Sequence, residues 1–136
     1  MQFRFLCHNQ EEYTLAREID PVLPRLLPQT PEEFFSLVAD AHAGICNRIH
    51  ASIGLASLGV PSVVVGTDTR LFVFEPLGLP LYFVKDVTQN LLAEKIAWML
   101  QHREQERTRL LTLKTATLQR YIALVQESLS TRLSKS

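Results

Sequence analysis

Arg48 and His50 stand two residues apart, where the apolar run Gly44-Ile45-Cys46 gives way to a small-residue segment of helical character. Asn47 is of a type that caps helices. A strand-to-helix turn here presents free backbone N–H groups and the positive end of a helix dipole. Arginine adds a two-pronged fork for an anion, and histidine exchanges a proton near neutral pH. Together they suit a phosphate or carboxylate ligand whose reaction needs an acid. The same residues also fit a structural role, with Arg48 paired to Asp40 or Asp68 and His50 a satisfied helix histidine. Spacing alone does not separate the two readings.

Arg70 follows another apolar run and the polar loop Thr67-Asp68-Thr69. A cation there can hold the second charged group of a dianion, or pair with Asp68 or Glu75. His8 closes the first apolar run and faces either the same cleft or a surface turn. His42 belongs to a turn, and His102 to a charged helical face. Cys7 and Cys46 lie in strand-like runs and read as buried free thiols, because two cysteines make neither a disulfide scaffold nor a zinc site of conventional spacing. No Walker A, GxGxxG, HExxH or GxSxG pattern occurs, so a self-contained nucleotide or hydrolase site is not expected.

The elements that must position these residues alternate. Gln2 to Cys7 reads as a strand and Gln10 to Ile19 as a helix, stopped at Asp20-Pro21. Val22 to Leu27 lies among four prolines between residues 21 and 31, which restricts it to an edge strand or a loop. Thr30-Pro31-Glu32-Glu33 is a helix start with a capping box. A helix from Arg48 to Leu58 ends at Gly59, with Pro61 beyond. Ser62 to Gly66 is a β-branched run of the kind covered on both faces. Leu71 to Leu77 reads as a short helix, Leu81 to Val84 as a strand, and Asp86 or Thr88 as the cap of a helix reaching about Arg103. A last helix covers roughly Glu104 to Leu133, with Leu111, Leu118, Ile122, Val125 and Leu129 as its buried stripe. The pattern predicts an α/β, Rossmann-like three-layer domain with a mostly parallel sheet over residues 1–103. A helical extension over 104–136 is expected to pack on it. In such sheets ligands gather beyond the carboxyl ends of the strands, which points to His8, Asn47 to His50, Thr67 to Arg70, and Lys85-Asp86.

Composition bounds the rest. The 136 residues are 46% hydrophobic and 21% charged, enough for one domain with a core. Fourteen basic side chains balance fourteen acidic ones, which disfavours a nucleic-acid partner. Apolar runs are too short to cross a bilayer, and residues 1–6 do not read as a signal peptide, so a cytoplasmic location is expected. Every glycine and proline lies at or before Pro80. Residues 1–80 carry 5 basic and 9 acidic side chains, whereas residues 81–136 carry 9 basic and 5 acidic.

The block from Ile45 to Pro61, with Arg48-Ile49-His50, a small-residue helix and Gly59-Val60-Pro61, resembles the polysaccharide pyruvyl transferase family. Val63 to Arg70 and Glu75-Pro76-Leu77-Gly78-Leu79-Pro80 are similar to the same family, as is the Pro31-Glu32-Glu33 helix start. The resemblance covers about residues 3 to 100 and is most specific from 45 to 80. It implies the C-terminal half of a fold like the B-type glycosyltransferases. It also implies transfer of pyruvyl from phosphoenolpyruvate to a saccharide acceptor of an exopolysaccharide or cell-wall polymer. His50 would be the acid. Arg48 and Arg70 would hold carboxylate and phosphate; Asn47, Asp68 and His8, singled out by their positions just after strands, are the further candidate substrate-binding residues. No metal or other cofactor is implied. Ile49 stands where the family has leucine, and Arg70 where it tends to have lysine, which keeps the charge but changes its geometry. An N-terminal half would have to supply the acceptor site. Two other readings remain: a nucleotide-sugar glycosyltransferase or epimerase domain of the same architecture, and a non-catalytic module that self-associates through residues 104–133.

Overall fold

The computed structural model describes residues 2–67 and 69–133. The chain divides into two compact units, Met1–Asp40 and Ala41–Ser136.

In the first unit, β1 (Phe5–Leu6) pairs in parallel with β2 (Arg25–Leu26), Phe5 opposite Arg25 and Leu6 opposite Leu26. The ladder is this short because Pro24 and Pro28 bracket β2 and cannot donate. Flanking bonds from Phe5 N to the Pro24 carbonyl and from Cys7 N to the Leu26 carbonyl, both 2.8 Å, complete it. Helix α1 (Gln10–Ile19) is capped by Asn9, whose side chain accepts from Glu12 N at 2.8 Å. Helix α2 (Pro31–Val38) begins as expected, with Thr30 Oγ1 accepting from Glu33 N at 3.1 Å. The reciprocal Glu33 carboxylate reaches one residue further back than a standard capping box and accepts from Gln29 N at 2.7 Å. Cys7, Ala16 and Val38 are buried here.

In the second unit, β3 (Gly44–Cys46), β4 (Ser62–Gly66) and β5 (Leu81–Phe83) form a parallel sheet in that order. Cys46 sits opposite Val64, and Gly66 opposite Phe83. The central strand fits its apolar run: Ser62, Val63 and Val64 are buried. Helix α3 (Ile49–Ser57) is built from small residues and lies close to the sheet. Its fully buried Ser52 hydroxyl meets that of Ser62 at 2.8 Å. The close approach also explains Gly44, where a Cβ would stand 2.7 Å from Leu55 Cδ1. Helix α3 ends in a Schellman turn. Gly59, at φ +75, donates to the Ala56 carbonyl, and Val60 donates to that of Leu55.

A 3-10 segment, Thr69–Leu77, stands where the sequence suggests a short helix. Thr88, rather than Asp86, caps α4 (Gln89–Gln101) by accepting from Leu91 N at 3.2 Å. Helix α5 (Arg103–Leu133) follows after one residue. Ala56, Val64, Leu79 and Leu110 form the buried cluster, with Ile49, Leu77, Leu81 and Phe83 packed against it. The fold is thus mixed α/β with parallel sheets, compatible with the Rossmann-like expectation.

The expected buried stripe of α5 needs correction. Leu111 is half-buried, but Leu118, Ile122, Val125 and Leu129 are exposed, as is every residue from Lys114 to Thr131. The reason is length. At 1.5 Å per residue, α5 runs about 46 Å, whereas the nine-residue α3 beneath it runs only about 14 Å. The helix is instead anchored near its start by Glu106 and Leu110.

Basic residues of α5 fasten that first stretch. Arg107 donates to the Leu58 carbonyl at 3.3 Å, and Lys114 to that of Ser57 at 2.9 Å. Both neutralise the carbonyl end of α3, where a cation is favoured by the dipole. Arg109 donates to the Leu77 carbonyl at 2.7 Å and grips the buried Glu106 carboxylate with two bonds of 3.0 and 2.8 Å. Three of the nine basic side chains after Pro80, Arg107, Arg109 and Lys114, therefore serve internal capping.

Candidate functional site

Parallel pairing brings the carboxyl ends of β3, β4 and β5 to one edge of the sheet, with neighbouring strands about 4.8 Å apart. Asn47, Arg48 and His50 follow β3. Thr67 and Arg70 follow β4. Lys85 follows β5, its ammonium 5.9 Å from the centre of the Phe83 ring. All six are exposed. The topology therefore gathers Asn47, Arg48, His50 and Arg70 at one edge and adds Lys85 as a third cation there. Position just after a strand was the signal for Lys85. Asp68 lies outside the described residues.

Helix α3 begins one residue later than Asn47 alone would set it. Arg48 is the N-cap, extended at φ −119 and ψ 132, and its side chain makes no capping hydrogen bond. The first helical bond runs from Ser52 N to the Arg48 carbonyl at 3.2 Å. The amides of Ile49, His50 and Ala51 precede it and carry the positive end of the helix dipole. The first turn contains no carboxylate to offset that field. Such an end favours anions. Arg48 and Arg70 are not without partners in this structure, so an incoming anion exchanges with existing contacts.

Cys46, immediately before this turn, is not a nucleophile in waiting. Burial pushes its thiol up to about 11, only partly countered by a hydrogen bond with the Ser62 side chain. A thiol so held stays protonated and inert near neutral pH.

His8 lies in the Met1–Asp40 unit. Its backbone N–H donates to Glu12 Oε2 at 2.8 Å, and its Nδ1 lies 3.1 Å from the same oxygen. Asp40, one of the partners considered for Arg48, holds Arg4 at 2.8 Å. A shallow hollow of about 380 Å³ runs along α1, lined by Gln10, Glu11, Thr14, Leu15 and Glu18. Its two carboxylates suit an anionic ligand poorly. Among the described residues, no group of three or more His, Cys, Asp or Glu side chains is placed to hold a metal ion. No helix among them is long and apolar enough to cross a membrane.

Among the described residues the order β3-β4-β5 follows the chain, with no reversal of strand order. A reversal is what opens a crevice in doubly wound sheets. This edge is consequently an open wall carrying three cations and a histidine.

Comparisons with family models, with curated proteins and with solved structures found no match.

Proposed function

We propose that the chain is the C-terminal half of a polysaccharide pyruvyl transferase-like enzyme with a B-type glycosyltransferase-like fold, and that the Ala41–Ser136 unit forms one wall of its active site. The observation supporting this reading is the Arg48-Ile49-His50 turn. It sits at a carboxylate-free helix N-terminus, on the sheet edge that also carries Arg70. Two cations and a helix end match the two anionic groups of phosphoenolpyruvate.

In the proposed reaction, His50 protonates the methylene carbon of the enol, and the adjacent carbon becomes cationic. A first sugar hydroxyl adds there and gives up its proton. The C–O bond to phosphate breaks, and a second hydroxyl adds with loss of its proton. The products are a ketal and inorganic phosphate. Arg48 and Arg70 hold carboxylate and phosphate throughout and stabilise the leaving charge. A second Rossmann-like half supplies the acceptor sugar's site.

Isothermal titration at low ionic strength tests the donor site, since screening weakens exposed charge pairs. Phosphoenolpyruvate is expected to bind, and Arg48→Ala or Arg70→Ala to weaken it about tenfold, equivalent to about 1.4 kcal/mol. Binding of a nucleotide sugar without binding of phosphoenolpyruvate would overturn the reading in favour of a glycosyltransferase-like donor site.

A further inference from the structure

The far half of α5 carries an apolar seam that packs against nothing in its own unit. Leu118 is 55% exposed, Ile122 46%, Val125 40% and Leu129 57%. Their spacings of 4, 3 and 4 residues are those of the a and d positions of a heptad, Ile122 and Leu129 at a and Leu118 and Val125 at d. The four lie at the spacing of a coiled-coil seam, and Tyr121 at g and Leu124 at c, 65% and 53% exposed, widen the apolar face on one side.

The flanks are uncharged. Gln119 and Gln126 occupy the e positions, Tyr121 and Ser128 the g positions. Arg120 and Glu127 fall at f, on the far side from the seam. Between residues 118 and 129 a second copy of this helix therefore meets no like charge across the seam, and the basic Lys114 and Arg132 fall at the two ends of the paired stretch.

We propose that two copies of the chain associate through this seam as a two-fold antiparallel coiled coil. Placing Ile122 opposite the partner copy's Val125 also places Leu118 opposite Leu129, so each apolar residue faces another. The same register sets position 133 of one copy opposite position 114 of the other. Lys114 is where contact with α3 ends, at the Ser57 carbonyl. The register thus pairs the described stretch beyond the α3 contact, residues 114–133, with itself.

The area is adequate for a weak dimer. Tyr121 (65% exposed) and the four seam residues present on the order of 500 Å² per chain, the size of the largest apolar patch on a typical monomer, which is often an interaction site. Doubled and rimmed by the polar flanks, the interface reaches the lower end of stable associations, about 1,200 Å².

Sedimentation velocity from about 1 to about 200 μM is expected to show a reversible dimer with a micromolar dissociation constant. Ile122→Glu, which replaces an exposed side chain, is expected to keep the wild-type circular dichroism of the folded unit and to weaken association at least ~100-fold. A wild-type protein that stays monomeric across the range, or an Ile122→Glu variant that dimerises as tightly, would overturn the proposal. Mixing Leu118→Cys with Leu129→Cys under mild oxidation is expected to give the mixed disulfide, because the native thiols are buried. Disulfides only between like variants would overturn the antiparallel register.

Discussion

Replacing Gly59 with alanine tests how α5 is held against α3. Gly59 lies at φ +75, where an L side chain costs about 1–2 kcal/mol. Its added Cβ would also stand 2.8 Å from Arg107 Cγ, 3.1 Å from Leu111 Cγ and 3.3 Å from the Arg107 carbonyl oxygen. The carbonyl belongs to the helix backbone and both carbons lie close to it, so relief requires α5 to retreat. A retreat of about 0.5 Å forfeits roughly a quarter of the dispersion contacts of a buried leucine such as Leu110, about 1.5 kcal/mol. Lower entropy of the unfolded chain returns about 0.5 kcal/mol. The net loss is about 2.5 kcal/mol, a fall in Tm of about 10 °C for a chain of this size. Gly78→Ala is the internal comparison. Its φ is +60, but its Cβ would meet only the far end of the Arg109 side chain, at 3.0 and 3.7 Å. That end is side chain and not helix backbone, so a shift of a few tenths of an ångström relieves it at the expense of part of its bond to the Leu77 carbonyl, and the loss is about 1.5 kcal/mol. Urea unfolding followed by far-UV circular dichroism measures both. Equal destabilisation by the two variants would refute a backbone-limited contact between α3 and α5.

Arg109→Ala removes both hydrogen bonds from the buried Glu106 carboxylate and the bond to the Leu77 carbonyl. With Arg109 itself 37% exposed, the expected loss is about 2 kcal/mol in urea unfolding, and Arg109→Lys recovers less than half of it. Lys114→Ala uncaps only one carbonyl of α3 at an exposed site, and a loss of about 0.5 kcal/mol is expected. Cys46 ties stability to alkaline pH. Its folded value, about 11, lies above the ordinary 9.0, so the native state keeps a proton that the unfolded chain releases. Its contribution is complete below pH 9 and is lost on rising from there to about 11, up to about 2–3 kcal/mol. Unfolding of Cys46→Ala, measured against wild type over that window, is expected to show a correspondingly flatter decline.

Local punctuation made much of the fold legible. Thr30-Pro31 with Glu33, Asp20-Pro21 and Gly59-Val60-Pro61 each specify a boundary through backbone chemistry that neighbouring residues determine. The β-branched run from Ser62 to Gly66 announced a strand covered on both faces, and Val63 and Val64 are buried accordingly. The last helix was legible as a helix but not in what it packs against. Periodicity identifies an apolar face without saying whether any surface is long enough to cover it, and α3 is not. Nor did the sequence reveal that Arg107, Arg109 and Lys114 would reach the carbonyl ends of distant segments, because those bonds span 32 to 57 positions. At the candidate site the post-strand rule located Asn47, Arg48, His50, Arg70 and Lys85 on one sheet edge, since parallel topology fixes which ends coincide. His8 was singled out by the same rule, but its strand pairs only with β2 in the described sheets.

The two buried cysteines fall one in each compact unit, Cys7 in Met1–Asp40 and Cys46 in Ala41–Ser136. A thiol reagent reaches either one only when the unit around it opens. Under conditions where reclosing outpaces labelling, the modification rate of each measures that unit's opening free energy in native buffer. The chain thus carries one internal clock per unit. Equal rates mark a single cooperative opening, and unequal rates mark two units that come apart independently.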